Sequence, residues 1–86
     1  MCKLVIASNP TDPFFNLYIF EEKDKVESIE TTVNNLEEIL SAFMKKYQIV
    51  EVHLAGAKPY MEGVEKLIRE NDHFHYSTHE VIIKYI

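Results

Sequence analysis

Near residue 34 the spacing of the apolar residues changes, and this change constrains the fold more than any other feature of the chain. Up to Val33 they come in short runs or alternate with polar residues, which is the period of a strand. From Leu36 onward they recur as Leu36, Ile39, Leu40, Phe43, Met44 and Tyr47, three and four apart, which is the period of a helix. With 86 residues, 47% of them hydrophobic, there is room for one core only, so the early strands and the later helix must share it. The pattern predicts a single α/β domain over residues 1–86 with a net stability of about 5–8 kcal/mol.

Residues 3-KLVIAS-8 are apolar on both parities, which predicts a central strand covered on both faces. The turn formers of 9-NPTDP-13 reverse the chain. A second strand is expected in 14-FFNLYIFEEK-23, with Phe15, Leu17 and Ile19 on one face and Phe14, Tyr18 and Phe20 on the other, ended by 21-EEKDK-25. Residues 26-VESIETTV-33 read as an edge strand with Ile29 and Val33 on one side, completing an antiparallel meander. Asn34 and Glu37 resemble a capping box at the start of the first helix, and Lys45 and Lys46 suit its end. A fourth strand follows in 48-QIVEVHLAG-56, with Val50, Val52 and Leu54 inward and Ile49, Glu51, His53 and Ala55 on the other side. Pro59 opens a second helix with Tyr60, Val64, Leu67 and Ile68 as its apolar stripe. Two strand–helix passages in succession imply parallel neighbours joined by right-handed crossovers, and hence a five-stranded mixed sheet.

The tail 73-HFHYSTHEVIIKYI-86 has two architectural readings. A single strand over 74–86 is about twice as long as the others can pair with, so the favoured reading is a short strand in 73-HFHYS-77. A helix then follows, capped by Ser77 with Glu80 ahead of 81-VII-83. His73, His75 and His79, with His53 or Glu80, are the candidate ligands of a zinc or nickel ion. Without a cysteine pair or an H-E-x-x-H helix, the same histidines read more simply as solvated residues at a sheet edge.

Nine basic against fourteen acidic residues give a charge of −5, the wrong sign for neutralising phosphates over a broad face, so nucleic-acid binding is disfavoured. The only cysteine, Cys2, leaves no intrachain disulfide and reads as a small apolar residue at a strand start; a reducing, cytoplasmic setting is expected. No apolar run approaches the length of a membrane span. The two glycines, Gly56 and Gly63, form no phosphate loop, and no cofactor is implied. The turn 55-AGAKPY-60 could hold a small anion or nucleotide phosphate through backbone N–H groups and Lys58.

The order strand, strand, strand, helix, strand, helix, strand resembles the ribonuclease H-like fold. The pattern of 74-FHYSTHEVIIKYI-86 is similar to the Holliday-junction resolvase branch of that superfamily. The resemblance implies carboxylates holding magnesium or manganese, one in the middle of strand one and another at the end of strand four. Here those places offer Ala7, Ser8 and Asn9, and His53, Leu54, Ala55 and Gly56, none of them acidic. The final helix that usually carries the last acidic residue is also missing from the sequence, so a degenerate, truncated member that has lost nuclease chemistry is expected.

The first expectation is therefore a small non-catalytic protein-interaction module, a regulator or inhibitor of phage or mobile-element origin. Its surfaces are the acidic hairpin and edge strand (Glu21, Glu22, Asp24, Glu27, Glu30), the second helix start (Lys58, Tyr60) and the tail (His75, Tyr76), with a homodimer through a sheet edge as one mode. The alternatives are a metal-dependent nuclease with displaced ligands from Asp12, Glu51 and the histidines, and an anion or nucleotide binder at the 55–60 turn.

Overall fold

The computed structural model describes residues 1–8, 13–70 and 81–86. Its elements are β1 (Cys2–Ser8), β2 (Phe14–Glu21), β3 (Asp24–Thr32), α1 (Val33–Lys46), β4 (Ile49–Ala55), α2 (Lys58–Glu70) and β5 (Ile82–Tyr85). The strands form one five-stranded sheet in the order β3-β2-β1-β4-β5. Strand β2 runs antiparallel to β1 and β3, while β4 runs parallel to β1 and β5. The mixed α/β sheet expected from the periodicity is present, with β1 at its centre and β3 at one edge.

The crossovers through α1 and α2 both step the same way across this sheet. Right-handed crossovers that step the same way place their helices on one face, and burial follows that rule. Leu4 and Ile6 of β1, Phe15, Leu17 and Ile19 of β2, and Val52 and Leu54 of β4 are buried against Leu36, Leu40 and Phe43 of α1 and Met61, Val64 and Ile68 of α2. Each such side chain contributes about 1.5–3 kcal/mol through loss of water contact. The expectation that β1 is covered on both faces is corrected: Lys3, Val5 and Ala7, on its second face, are only half-buried, and among the described residues no helix lies over them.

Other differences trace to register and to where the helices start. A register shift between Cys2 and Lys3 skips Val50, so Ile49 pairs with Cys2 and joins the core while Val50 stays half-buried, the reverse of the expected parity. Helix α1 begins at Val33, which is 55% exposed rather than inward, and Thr32 stands at the cap without a side-chain bond. The Asn34–Glu37 box is therefore not the cap, since both residues lie past it. In α2 the buried anchor is Met61, one residue beyond the expected Tyr60, which is 50% exposed. The polar cluster 21–25 divides between two strands, because Glu21 pairs with Asp24 and only Glu22 and Lys23 form the turn.

The end of the chain is strand, not helix. Ile82–Tyr85 pairs with Glu51–Leu54 of β4, with Val81, Ile83 and Tyr85 packed toward the core and Ile82, Lys84 and Ile86 outward. The alternation of period two and the parallel ladder override the local S-x-x-E signal. The strand expected at 73–77 and the Ser77 cap lie outside the described residues.

Gly63 sits inside α2 on the rim of a hollow of about 190 Å³ between the helices, lined in part by Val33, Leu36, Tyr60 and Leu67. Nothing lies within 4 Å of the place a Cβ would occupy there. Replacing glycine by alanine at an unobstructed helix position is worth about 1 kcal/mol. Gly63→Ala is expected to raise the melting temperature by about 4–8 °C, read by circular dichroism.

Candidate interaction surface

The residues proposed from sequence fall in three separate places. The first is the β2–β3 hairpin and the β3 edge. Glu22 occupies its turn with φ of 57°, a left-handed conformation usually taken by glycine or asparagine. Glu21, Glu22, Asp24 and Glu30 are exposed. Glu27 faces the helix layer, where Lys46 donates to its Oε1 at 2.9 Å, and this bond raises the Lys46 pKa. Its Oε2 is shut off from solvent and has no donor among the described residues. A register shift between Ile19 and Phe20 leaves Val26 out of the ladder and 47% exposed, so the regular edge runs from Glu27 to Thr32.

The second place is the start of α2. Pro59 has no N–H, and the N–H groups of Tyr60 and Met61 both donate to Ala57 O at 3.0 Å, which leaves few donors for an anion there. Lys58 turns its Nζ over the Tyr85 ring, 5.5 Å from the centroid, and Tyr60 stacks on Phe15 at 5.6 Å. Gly56 is required at the preceding turn. Its φ is +154°, and a Cβ would come within 2.5 Å of Ser8 Oγ, which donates to Met61 Sδ at 3.3 Å.

The third place is the sheet face that neither α1 nor α2 covers. Register puts Lys25, Phe20, Lys3, Glu51 and Ile82 in one row across it and Ser28, Tyr18, Val5, His53 and Lys84 in the next. A third row holds Glu30, Asn16, Ala7 and Ala55, extended by Ile86, whose N–H donates to Leu54 O at 2.9 Å. Lys3 lies over the Phe20 ring and Lys25 over the Tyr18 ring, each at 5.5 Å. Glu51 bonds Lys84 Nζ at 3.2 Å and His53 Nε2 at 3.1 Å, and the Lys84 bond, then that of His53, holds its carboxyl below the usual range. Among the described residues no three His, Cys, Asp or Glu side chains gather in a way that could hold a metal ion. His73, His75, Tyr76, His79 and Asp12 lie outside the described residues.

Sequence reading missed a network between α2 and β5, because it favoured a helix over a strand for the tail. Tyr85 donates to Glu65 Oε1, and Arg69 Nε donates to Glu65 Oε2 at 2.8 Å. The alternation Val81, Ile83, Tyr85 was the signal that could have revealed it. Compared with known protein families, curated proteins and solved structures, the chain finds no match in any of the three. Among the described residues no helix is long and apolar enough to cross a membrane.

Two outcomes follow. Gly56→Ala is expected to cost about 1–3 kcal/mol in urea unfolding from the positive φ alone, with the crowding at Ser8 adding to it. The Glu65 carboxylate, followed by burial, pushes the Tyr85 pKa up from 10.0 to about 12. The folded value lies above the unfolded one, so this contribution is complete below pH 10 and is lost as pH rises through 12. Phenolate absorbance should show one of the five tyrosines titrating late, and Tyr85→Phe should remove that step and flatten the alkaline loss of stability.

Proposed function

We propose that this chain is a non-catalytic protein-interaction module that takes an extended, basic segment of a partner along the β3 edge and acts as a regulator or inhibitor by occupying it. The observation that carries the reading is the edge itself. Glu27–Thr32 offers about 20 Å of regular strand beside a hairpin bearing Glu21, Glu22 and Asp24. A strand laid there gains main-chain hydrogen bonds, and basic side chains complement the acidic end.

The ribonuclease H-like relationship is part of this proposal. The meander followed by two crossovers supports it, and Ala7 and Ala55 support the loss of nuclease chemistry. They are Cα partners across β1 and β4, near the places where the resemblance would seat carboxylates. The nuclease alternative draws on Glu51 and His53, which are bonded to each other on the open face, where Glu51 also bonds Lys84.

The test is capture of a partner from nuclease-treated native lysate, followed by hydrogen exchange on the purified complex. Amides of residues 27–32 should gain protection, and the variant Glu22→Lys/Asp24→Lys should bind at least about tenfold more weakly with an unchanged melting curve. Equal binding by the variant, with protection elsewhere, would remove this reading.

A further inference from the structure

We propose that the face of the sheet opposite α1 and α2 seats a second copy of the same chain, packed face to face about a two-fold axis that runs across the strands at the level of Tyr18, Val5 and His53. The register rows carry the argument. Such an axis exchanges the two outer rows while keeping each strand over its own counterpart. Lys25 then meets the second copy's Glu30, and Glu30 meets its Lys25. Ile82, 52% exposed, meets Ile86, 65% exposed, and the reverse contact repeats this on the other side. At the centre Val5 and Tyr18 meet their own counterparts, and Lys3 crosses Ala7.

The other two-fold arrangement, with its axis along β1, sets Lys25 on Ile82, Glu30 on Ile86 and Lys3 on Lys3. Charge would then meet hydrocarbon or like charge, so complementarity selects the first arrangement. In the first arrangement Lys84 and His53 also face themselves, but Glu51 bonds both and offsets their charge. Five strands spaced about 4.8 Å apart give a face about 24 Å wide and about 20 Å along the strands. Side-chain relief raises that plan area of about 480 Å² toward the ~800 Å² per partner of a stable interface. In the single chain Lys3 and Lys25 shield the Phe20 and Tyr18 rings, a cover that a second copy can displace.

This surface is independent of the partner segment proposed for the β3 backbone edge. The test is sedimentation velocity of the full chain from low micromolar to several hundred micromolar. The expected result is a concentration-dependent shift to twice the chain mass. Val5 is only half-buried on the open face, so Val5→Glu should leave the fold intact and abolish the shift. Lys25→Glu should weaken association by about tenfold or more, and Lys25→Glu/Glu30→Lys should recover most of the loss because both contacts re-form with signs exchanged. The recovery keeps the test decisive even if Val5→Glu fails to fold. A monomer throughout the range, a double variant no tighter than the single one, or a dimer that survives Val5→Glu would each overturn the proposal, the last by pointing to edge pairing.

Discussion

The direction of the two crossovers is the constraint on which the rest of the molecule depends. Strand β1 lies between an antiparallel and a parallel neighbour, and everything after the meander advances to the same side of it. Chirality then gives both helices the same face. From that single fact follow the one-sided core, the half-buried second face of β1, and the placing of Tyr18, Phe20 and His53 on the face opposite α1 and α2. A chain of this length has material for one core, and concentrating Leu4, Ile6, Leu17, Ile19, Val52 and Leu54 in it leaves little apolar bulk for a second layer.

The elements were legible where a residue's role is set by its near neighbours. The α1 stripe from Leu36 to Tyr47, the alternation in 14–20 and the edge character of β3 all follow from periods of two or 3.6, and the structure places them as expected. The misreadings share a different origin. Val50 is lifted from the ladder by a bulge that depends on Cys2 and Lys3, far away in sequence. The 81–86 segment carries a capping-like signal ahead of it, yet pairs with β4 because Glu51–Leu54 offers main-chain partners and the core takes Val81, Ile83 and Tyr85. Tertiary pairing decided these positions: the alternation of Val81, Ile83 and Tyr85 is local, but the β4 partner that selects it over the capping signal is not.

The candidate surfaces divide in the same way. The acidic hairpin is contiguous, so Glu21, Glu22 and Asp24 could be read directly. The open face draws its rows from five strands, and neither the opposition of Lys25 and Glu30 nor the binding of Glu51 to His53 and Lys84 exists until the register is known. The overall charge of −5 hides the distribution on this face, where Lys3, Lys25 and Lys84 outnumber Glu30 and Glu51. Net charge bounds what the whole surface attracts at long range, whereas contact depends on which residues share a face.

Strand β3 takes part in both proposed surfaces without conflict, because it presents its main chain at the edge and Lys25, Ser28 and Glu30 to the open face. A two-fold axis across the strands keeps β3 over β3, so the pair carries its two β3 edges on one side, about one sheet spacing of 10 Å apart and antiparallel. The acidic hairpins then stand at opposite ends of that side. A partner offering two basic strands, or one strand from each half of a symmetric partner, would meet both edges at once. Its second contact would form at high effective concentration, so affinity would rise steeply with the dimer population although each edge alone binds weakly.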